Sequence, residues 1–126
     1  MKKILIADND SVLLNMYQSR FTNGQFTVVT AGDGEKALEL ALQEHPDIVL
    51  LDIDMPKMDG VTALKNLRLN AWGKTVPVIL LTNLETNDKI LQGVVESEPS
   101  YYLLKDQVDP EVVFEKVQEI LGDNNG

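Results

Sequence analysis

The chain of 126 residues contains no cysteine. Disulfides, thiolate catalysis and thiolate metal sites are therefore excluded, and a reducing, cytoplasmic location is expected. Basic residues are also scarce, with 11 Lys and Arg against 20 Asp and Glu and a formal net charge of −9. Because a nucleic-acid surface needs a basic face, direct contact with DNA or RNA is disfavoured. The apolar stretch near the N-terminus meets an acid at residue 8, too early for a signal sequence or membrane insertion.

What the chain does contain is a regular alternation of short apolar runs with helical patterns. The runs that predict strands cover residues 4–7, 26–31, 48–51, 76–81 and 101–104. Apolar residues three and four apart predict five helices between and after them. Strict alternation of this kind predicts an α/β domain, a doubly wound (βα)₅ fold with a parallel sheet. We expect this domain to span residues 1–122, with residues 123–126 as a short tail.

Details of the helices are also predicted. Asp10 and Asp109 are expected to cap the first and fifth helices, and Gly24 to end the first. The inward stripe of the second helix includes Leu42, the third helix ends near Gly73, and the fourth helix has an inward stripe at Ile90, Leu91, Val94 and Val95. His45, the single histidine, is expected in a loop at a helix–strand junction.

Four polar side chains stand where predicted strands end. Asp8, Asp52, Thr82 and Lys105 follow or close the first, third, fourth and fifth runs. Because the carboxyl ends of parallel strands meet at one edge of a sheet, these side chains are expected to lie together. Each alone has an ordinary explanation, as a turn residue, a β-former or a solvated strand end. Together they suit phosphoryl transfer to a carboxylate, since Mg²⁺ and a lysine would neutralise the phosphoryl charge.

The segments "KILIADND", "DIVLLDIDMPKMDG", "VPVILLTN" and "YYLLKD" carry a resemblance that covers residue 2 to about 121. In order and spacing they resemble the receiver domain of bacterial two-component response regulators. The resemblance implies a flavodoxin-like sheet with strand order 2-1-3-4-5. It also implies that Asp52 is the phosphoacceptor, that Lys105 contacts the phosphoryl group, and that Thr82 and Tyr102 form a switch pair. The implied Mg²⁺ site comprises Asp8, Asn9, Asp52 and the backbone carbonyl of Asp54.

The same resemblance implies partners. A histidine kinase or phosphotransfer protein would donate the phosphoryl group, and a separate effector protein would read the result. The face formed by the fourth helix, fifth strand and fifth helix would change its binding, and a homodimer that forms on phosphorylation is compatible with the family. Such a protein is a signalling domain that assists its own phosphorylation and dephosphorylation, not an enzyme acting on other molecules.

The sequence departs from the family pattern at four places. Asn9 replaces the usual second acid, so Mg²⁺ binding is expected to be weakened because an amide brings no charge. Asn83 stands where a small residue is usual. Asp106 replaces the proline after Lys105, which puts the family's cis peptide in doubt. "ESEPS", residues 96–100, replaces a Gly-Ala turn, and an unusual partner is therefore expected.

Two other functions remain as alternatives. A degenerate receiver would bind its partner without phosphorylation, as Asn9, Asn83 and Asp106 suggest and Asp52, Thr82 and Lys105 argue against. A phosphatase with an Asp-x-Asp strand end is disfavoured, because Pro56 stands where that pattern needs Thr or Val. A calcium-binding EF-hand starting at Asp52 fails, since Ala63 occupies the position that requires Glu.

Overall fold

The computed structural model describes residues 1–82, 88–105 and 109–122, and its elements alternate along the chain. The strands are β1 (Lys3–Ala7), β2 (Thr27–Ala31), β3 (Ile48–Asp52), β4 (Val78–Thr82) and β5 (Tyr101–Leu104). The helices are α1 (Ser11–Asn23), α2 (Gly34–Glu44), α3 (Gly60–Arg68), α4 (Asp88–Ser97) and α5 (Pro110–Leu121). The predicted (βα)₅ architecture is confirmed.

The five strands form one sheet in the order β2-β1-β3-β4-β5, and every neighbouring pair is parallel. In the two central strands, β3 and β4, all five residues are buried. This burial explains their continuous apolar runs, because a parallel sheet is covered by helices on both faces. The strand order reverses at β1 and β3, where ligands bind in open α/β sheets.

Alternate residues of the strands feed two cores, one on each face of the sheet. One core joins the sheet to α2, α3 and Val94 of α4. The other joins it to α1 and α5 and contains a group of three phenylalanine rings, Phe21, Phe26 and Phe114, with centroids 5.1–5.9 Å apart. The domain therefore has three layers, with helices above and below the sheet.

Four helices begin at an aspartate whose side chain accepts hydrogen bonds from the first turn. These capping residues are Asp10, Asp33, Asp59 and Asp109. The caps predicted at Asp10 and Asp109 are confirmed, as is the end of α1 at Gly24. Since all four helices start after a strand, the caps place four carboxylates around the carboxyl edge of the sheet.

Several predicted boundaries and one residue on each of two predicted helix faces differ from the structure. The third helix ends at Arg68, five residues before Gly73, because the side chain of Asn70 accepts from the amides of Trp72 and Gly73 and turns the chain. Leu42 and Val95 are 36% and 71% exposed. Both lie at the edge of a helical stripe, about 100° from a buried neighbour, so the apolar pattern placed them inward wrongly.

The fourth strand begins at Val78, two residues later than predicted, because Pro77 has no N–H and the Val76 carbonyl accepts from Arg68. The second strand begins at Thr27, since Phe26 packs among the aromatic rings of the α1–α5 core. His45 caps the end of α2 in a left-handed conformation and stacks on Trp72 at 4.3 Å. Both rings lie at the edge of the sheet opposite Asp52.

Candidate functional site

Three predicted site residues meet at the carboxyl edge of the sheet. Asp8 follows β1 directly, Asp52 is the last residue of β3, and Lys105 follows β5. The Lys105 ammonium lies 2.7 Å from Asp8 Oδ2 and 3.3 Å from Asp52 Oδ2. Both carboxylates are 3% exposed and the lysine side chain is 10% exposed. One buried cation thus bridges two buried anions, which offsets part of the cost of burying the Asp52 charge at the end of an apolar strand.

Burial shifts the ionisation of this group of residues. The pKa of Asp52 is raised from 3.8 to about 6, chiefly by burial and also by the charge of Asp8, while Lys105 acts in the opposite direction. Burial alone would lower the pKa of Lys105, but its hydrogen bonds and charge pairing with Asp8 and Asp52 raise it above its usual value. The lysine therefore stays charged, and Asp52 is an anion at neutral pH held in place mainly by Lys105.

The outer rim of the site is formed by the other predicted metal ligands. Asn9 and Asp54 are exposed. The amide of Asp54 lies 3.4 Å from Asp52 Oδ1, which brings the Asp54 backbone close to the Asp52 carboxylate. Asp8 Oδ1 accepts from the amide of Asp10, and the Asp10 carboxylate caps α1, so Asp10 does not replace the charge that Asn9 lacks.

These oxygen donors suit a hard divalent cation, because Mg²⁺ prefers carboxylate, carbonyl and amide oxygens. Two carboxylates, from Asp8 and Asp52, are the charged part of the set. Over the part of the chain that the structure describes, no group of three or more His, Cys, Asp or Glu is arranged to hold a metal ion. The donor set therefore fits Mg²⁺ in type, but carries one negative charge fewer than a site with an acid at position 9.

Thr82 lies on β4, the strand next to β3, and Tyr102 lies on β5, the edge strand beyond β4. Thr82 ends β4 and is fully buried, and its Cα pairs with that of Leu104, the residue before Lys105. The Tyr102 side chain packs against the core that contains α2 and α3, and burial raises the pKa of its phenol. Its buried hydroxyl makes no hydrogen bond within the described structure. Asn83, which follows Thr82, and Asp106, which follows Lys105, lie outside the described residues.

The loop from Asp52 to α3 is held by backbone contacts. The amide of Gly60 donates to the Ile53 carbonyl at 2.9 Å, so the loop closes on itself just before α3 starts. A β-carbon placed on Gly60 would lie 2.1 Å from the carbonyl oxygen of Asp52. The "MDG" segment therefore does more than open a helix, because only glycine allows α3 to approach the backbone of Asp52 this closely. The sequence pattern identified this segment without revealing that reason.

Comparisons with known proteins agree with this fold. A family model described as the response regulator receiver domain matches residues 4–118. The response regulator PleD of Caulobacter vibrioides is 34% identical over 118 residues, which cover 94% of this chain and 26% of PleD. The chain therefore spans about a quarter of the length of that relative.

Two solved structures show the same fold. The chemotaxis protein CheY4 of Vibrio cholerae has a TM-score of 0.84 and 28% identity, over 94% of this chain and 98% of that one. A CheX–CheY–BeF₃–Mg²⁺ complex from Borrelia burgdorferi includes a chain with a TM-score of 0.81 and 29% identity, over 94% of this chain and 88% of that one.

The fold and the buried Asp–Lys–Asp group define a doubly wound α/β domain with an acidic site at the sheet edge. With the family match over most of its length, the chain belongs to the response regulator receiver domain family. Receiver domains are signalling domains of two-component systems. None of the helices in the described part of the chain is both long and apolar enough to cross a bilayer.

Proposed function

We propose that this chain accepts a phosphoryl group on Asp52 from a histidine kinase or phosphotransfer protein, and so changes its binding to a separate effector. The observation that carries the proposal is the pairing of the buried Asp52 carboxylate with the Lys105 ammonium at 3.3 Å. An aspartate needs no base at neutral pH, but it must meet an anionic phosphoryl group. A fixed buried cation beside it supplies the compensating charge.

In the proposed step an Asp52 oxygen attacks phosphorus while the bond from phosphorus to the donor atom breaks. The donor atom leaves with the electron pair of that bond, and Asp52 becomes an acyl phosphate. Lys105 would contact the transferred oxygens. Mg²⁺, held by Asp8, Asn9, Asp52 and the Asp54 carbonyl, would neutralise charge on the phosphoryl oxygens when bound.

The response to phosphorylation would pass through Thr82 and Tyr102. The Thr82 hydroxyl is suited to bond a phosphoryl oxygen, and a Tyr102 hydroxyl without a hydrogen-bond partner gains by any rearrangement that offers it one. We propose that the face of α4, β5 and α5 then changes its affinity for the effector. That face exposes Val95, at 71%, and Tyr101, whose ring lies 4.6 Å from the Lys116 ammonium.

The remaining proposals follow the family. The receiver domain would occupy residues 1–122, with residues 123–126 outside the described part of the chain. The protein would act in the cytoplasm through protein partners rather than nucleic acid, and would not insert into a membrane. A homodimer formed by the same face on phosphorylation is part of the proposal.

Incubation with acetyl phosphate or phosphoramidate tests the function directly. We expect intact-mass spectrometry to show one added phosphoryl group per chain in the presence of Mg²⁺, and a much smaller fraction with EDTA. The adduct should disappear on treatment with hydroxylamine, because acyl phosphates react with nucleophilic amines. A chain that stays unmodified at saturating Mg²⁺ would contradict the proposal and favour binding without phosphorylation.

Replacement of Asn9 by aspartate is expected to tighten Mg²⁺ binding about tenfold. Two unit charges 4 Å apart interact by roughly 4 kcal/mol at an effective dielectric near 20, and desolvation and solvent exposure of this rim position return part of that. Isothermal titration calorimetry is the measurement of choice, since Trp72 stacks on His45 at the opposite edge and would report the metal poorly. Asn23→Asp, at the exposed far end of α1, is the matched control. Equal affinity in the Asn9 variant and wild type would show that position 9 does not weaken the site.

A further inference from the structure

Arg68 joins two loops at the amino edge of the sheet, on the side opposite Asp52. It is the last residue of α3, and its guanidinium donates four hydrogen bonds to three backbone carbonyls. Nη1 bonds the carbonyls of Gly73 and Val76 at 2.8 and 2.7 Å, and Nε and Nη2 both bond the carbonyl of Glu98 at 3.1 and 2.8 Å. The last pair connects α3 to a loop thirty residues away in the chain. Arg68 is therefore a tie between the α3–β4 loop and the α4–β5 loop.

The residue that Arg68 holds has an unfavourable backbone conformation. Glu98 follows the end of α4 with φ of 57°, in the left-handed region that glycine adopts freely and other residues avoid. Glycine is the usual residue at this position after a helix. The amide of Glu98 donates to the Val95 carbonyl at 3.3 Å, and its side chain is exposed. The conformation is therefore fixed from outside, by two hydrogen bonds of Arg68 to the Glu98 carbonyl.

The held loop lies at the start of both strands that carry the proposed switch residues. Two residues after Glu98, the amide of Ser100 donates to the Val78 carbonyl at 2.7 Å, and the Ser100 hydroxyl accepts from the Val78 amide at 3.1 Å. Val78 begins β4, which ends at Thr82, and β5 begins directly after Ser100. Any change in the turn at Glu98 is thus transmitted to β4, β5 and the carboxyl end of α4.

We infer that Arg68 is a positioning residue for the switch, which holds the strained turn at Glu98 and so fixes the carboxyl end of α4 and the start of β5 in the unphosphorylated protein. The inference rests on the proposed function, because α4 and β5 belong to the proposed signalling face. Because Arg68 holds the carboxyl end of α4, a movement that begins beside Thr82 is confined to the amino end of that helix. Without Arg68, the turn relaxes and the whole segment becomes free before any phosphoryl group arrives.

Hydrogen–deuterium exchange of the full chain tests the inference in the resting protein. We expect Arg68→Met to raise exchange in the segment 92–104 about tenfold, while α1 and β1 stay unchanged. Arg68→Lys should behave like Arg68→Met, because an ammonium keeps the charge but lacks the planar fork. Lys65→Met, in the same turn of α3 and exposed, is the control for loss of a cation. A uniform rise over the chain, or a rise limited to residues 69–77, would overturn the inference.

A second substitution tests whether Arg68 acts through the backbone conformation of Glu98. Glu98→Gly removes the conformational penalty at the turn, so in the Arg68→Met background it should return exchange of residues 92–104 to within about threefold of wild type. In the wild-type background it should have little effect, since Arg68 already holds the turn. An equal effect of Glu98→Gly in both backgrounds would show that Arg68 does not act through Glu98.

Exchange in the presence of Mg²⁺ and beryllofluoride, a phosphoryl mimic, links the residue to the switch. In wild type the mimic should change exchange in α4 and β5, and in Arg68→Met that change should fall to less than half, because the segment is already free. A change of full size in the variant would overturn the role of Arg68 in switching. If wild type itself does not respond to the mimic, the proposed phosphoacceptor function fails, while the resting exchange still decides what Arg68 holds.

Discussion

An Asp52→Asn variant is expected to accept no phosphoryl group from acetyl phosphate and to unfold less readily than wild type at pH 7. The loss of acceptance follows from chemistry, because an amide oxygen is a poor nucleophile and forms no stable acyl phosphate. Intact-mass spectrometry of both proteins under identical conditions measures it. Asp54→Asn is the matched control. The proposed Mg²⁺ ligand at this position is the backbone carbonyl, which the substitution keeps, and the Asp54 side chain is exposed. An adduct that persists in Asp52→Asn would place the acceptor elsewhere.

The gain in stability follows from the burial of the Asp52 charge. Its pKa is raised from 3.8 to about 6, mainly by burial, so the folded state binds the proton more tightly than the unfolded state. At pH 7 the ionised form therefore costs up to ~3 kcal/mol. Removing the charge also deprives Lys105 of one of its two carboxylate partners. We expect a net gain of about 1–2 kcal/mol in the free energy of unfolding, measured by urea denaturation.

The pH dependence of this gain has a defined sign. Between pH 4 and 6 the folded state holds a proton on Asp52 that the unfolded state has lost, so the contribution of this group to stability falls as the pH rises through that window. The difference between Asp52→Asn and wild type should accordingly be full at pH 7 and shrink toward pH 4. Comparing the two proteins at each pH cancels the other carboxylates. A difference that grows on acidification would show that Lys105 outweighs burial.

Much of this fold could be predicted from patterns of residues that are close in sequence. The apolar run before Asp52 predicted a buried strand because β3 is covered on both faces, and the caps at Asp10 and Asp109 predicted helix starts because they use side chains adjacent in sequence. The convergence of Asp8, Asp52 and Lys105 followed from the single rule that parallel strands end at one edge. Site composition was therefore predictable, although the 2.7 Å contact of Lys105 with Asp8 was not.

What the sequence did not reveal depends on contacts between distant segments. The exposure of Val95 could not be read from its helix, because neighbouring residues on a stripe differ in facing by about 100°. The hydrogen bonds from Arg68 to Glu98 join residues thirty positions apart in sequence. Because basic residues are common in the last turn of a helix, the sequence did not mark Arg68 as unusual. The positive φ of Glu98 left one signal, the replacement of a usual glycine turn by "ESEPS".

Gly60→Ala is expected to cost about 3 kcal/mol of folding free energy, the upper end of the usual cost of overpacking, and to slow phosphoryl acceptance strongly. The added β-carbon would meet the Asp52 carbonyl oxygen at 2.1 Å, the Asp52 carbonyl carbon at 2.9 Å and the Ile53 Cα at 3.0 Å. All three are backbone atoms of a buried strand end, so no side chain can rotate away to relieve the contact. Either α3 moves outward or the end of β3 moves, and the second displaces Asp52 from Lys105. Urea denaturation and the rate of mass adduct formation measure the two effects.

Gly32→Ala provides the control, because a β-carbon there meets no atom within 4 Å. We expect its free energy of unfolding to stay within about 0.5 kcal/mol of wild type and its rate of acceptance to be unchanged. Gly60→Ala would ordinarily favour a helix, since alanine has the higher helix propensity, so a loss of stability would come from the contacts with the backbone of Asp52 and Ile53. A Gly60→Ala protein as stable and as reactive as wild type would show that α3 can withdraw freely. The expected loss would instead mean that the amino end of α3 sets the position of the acceptor carboxylate.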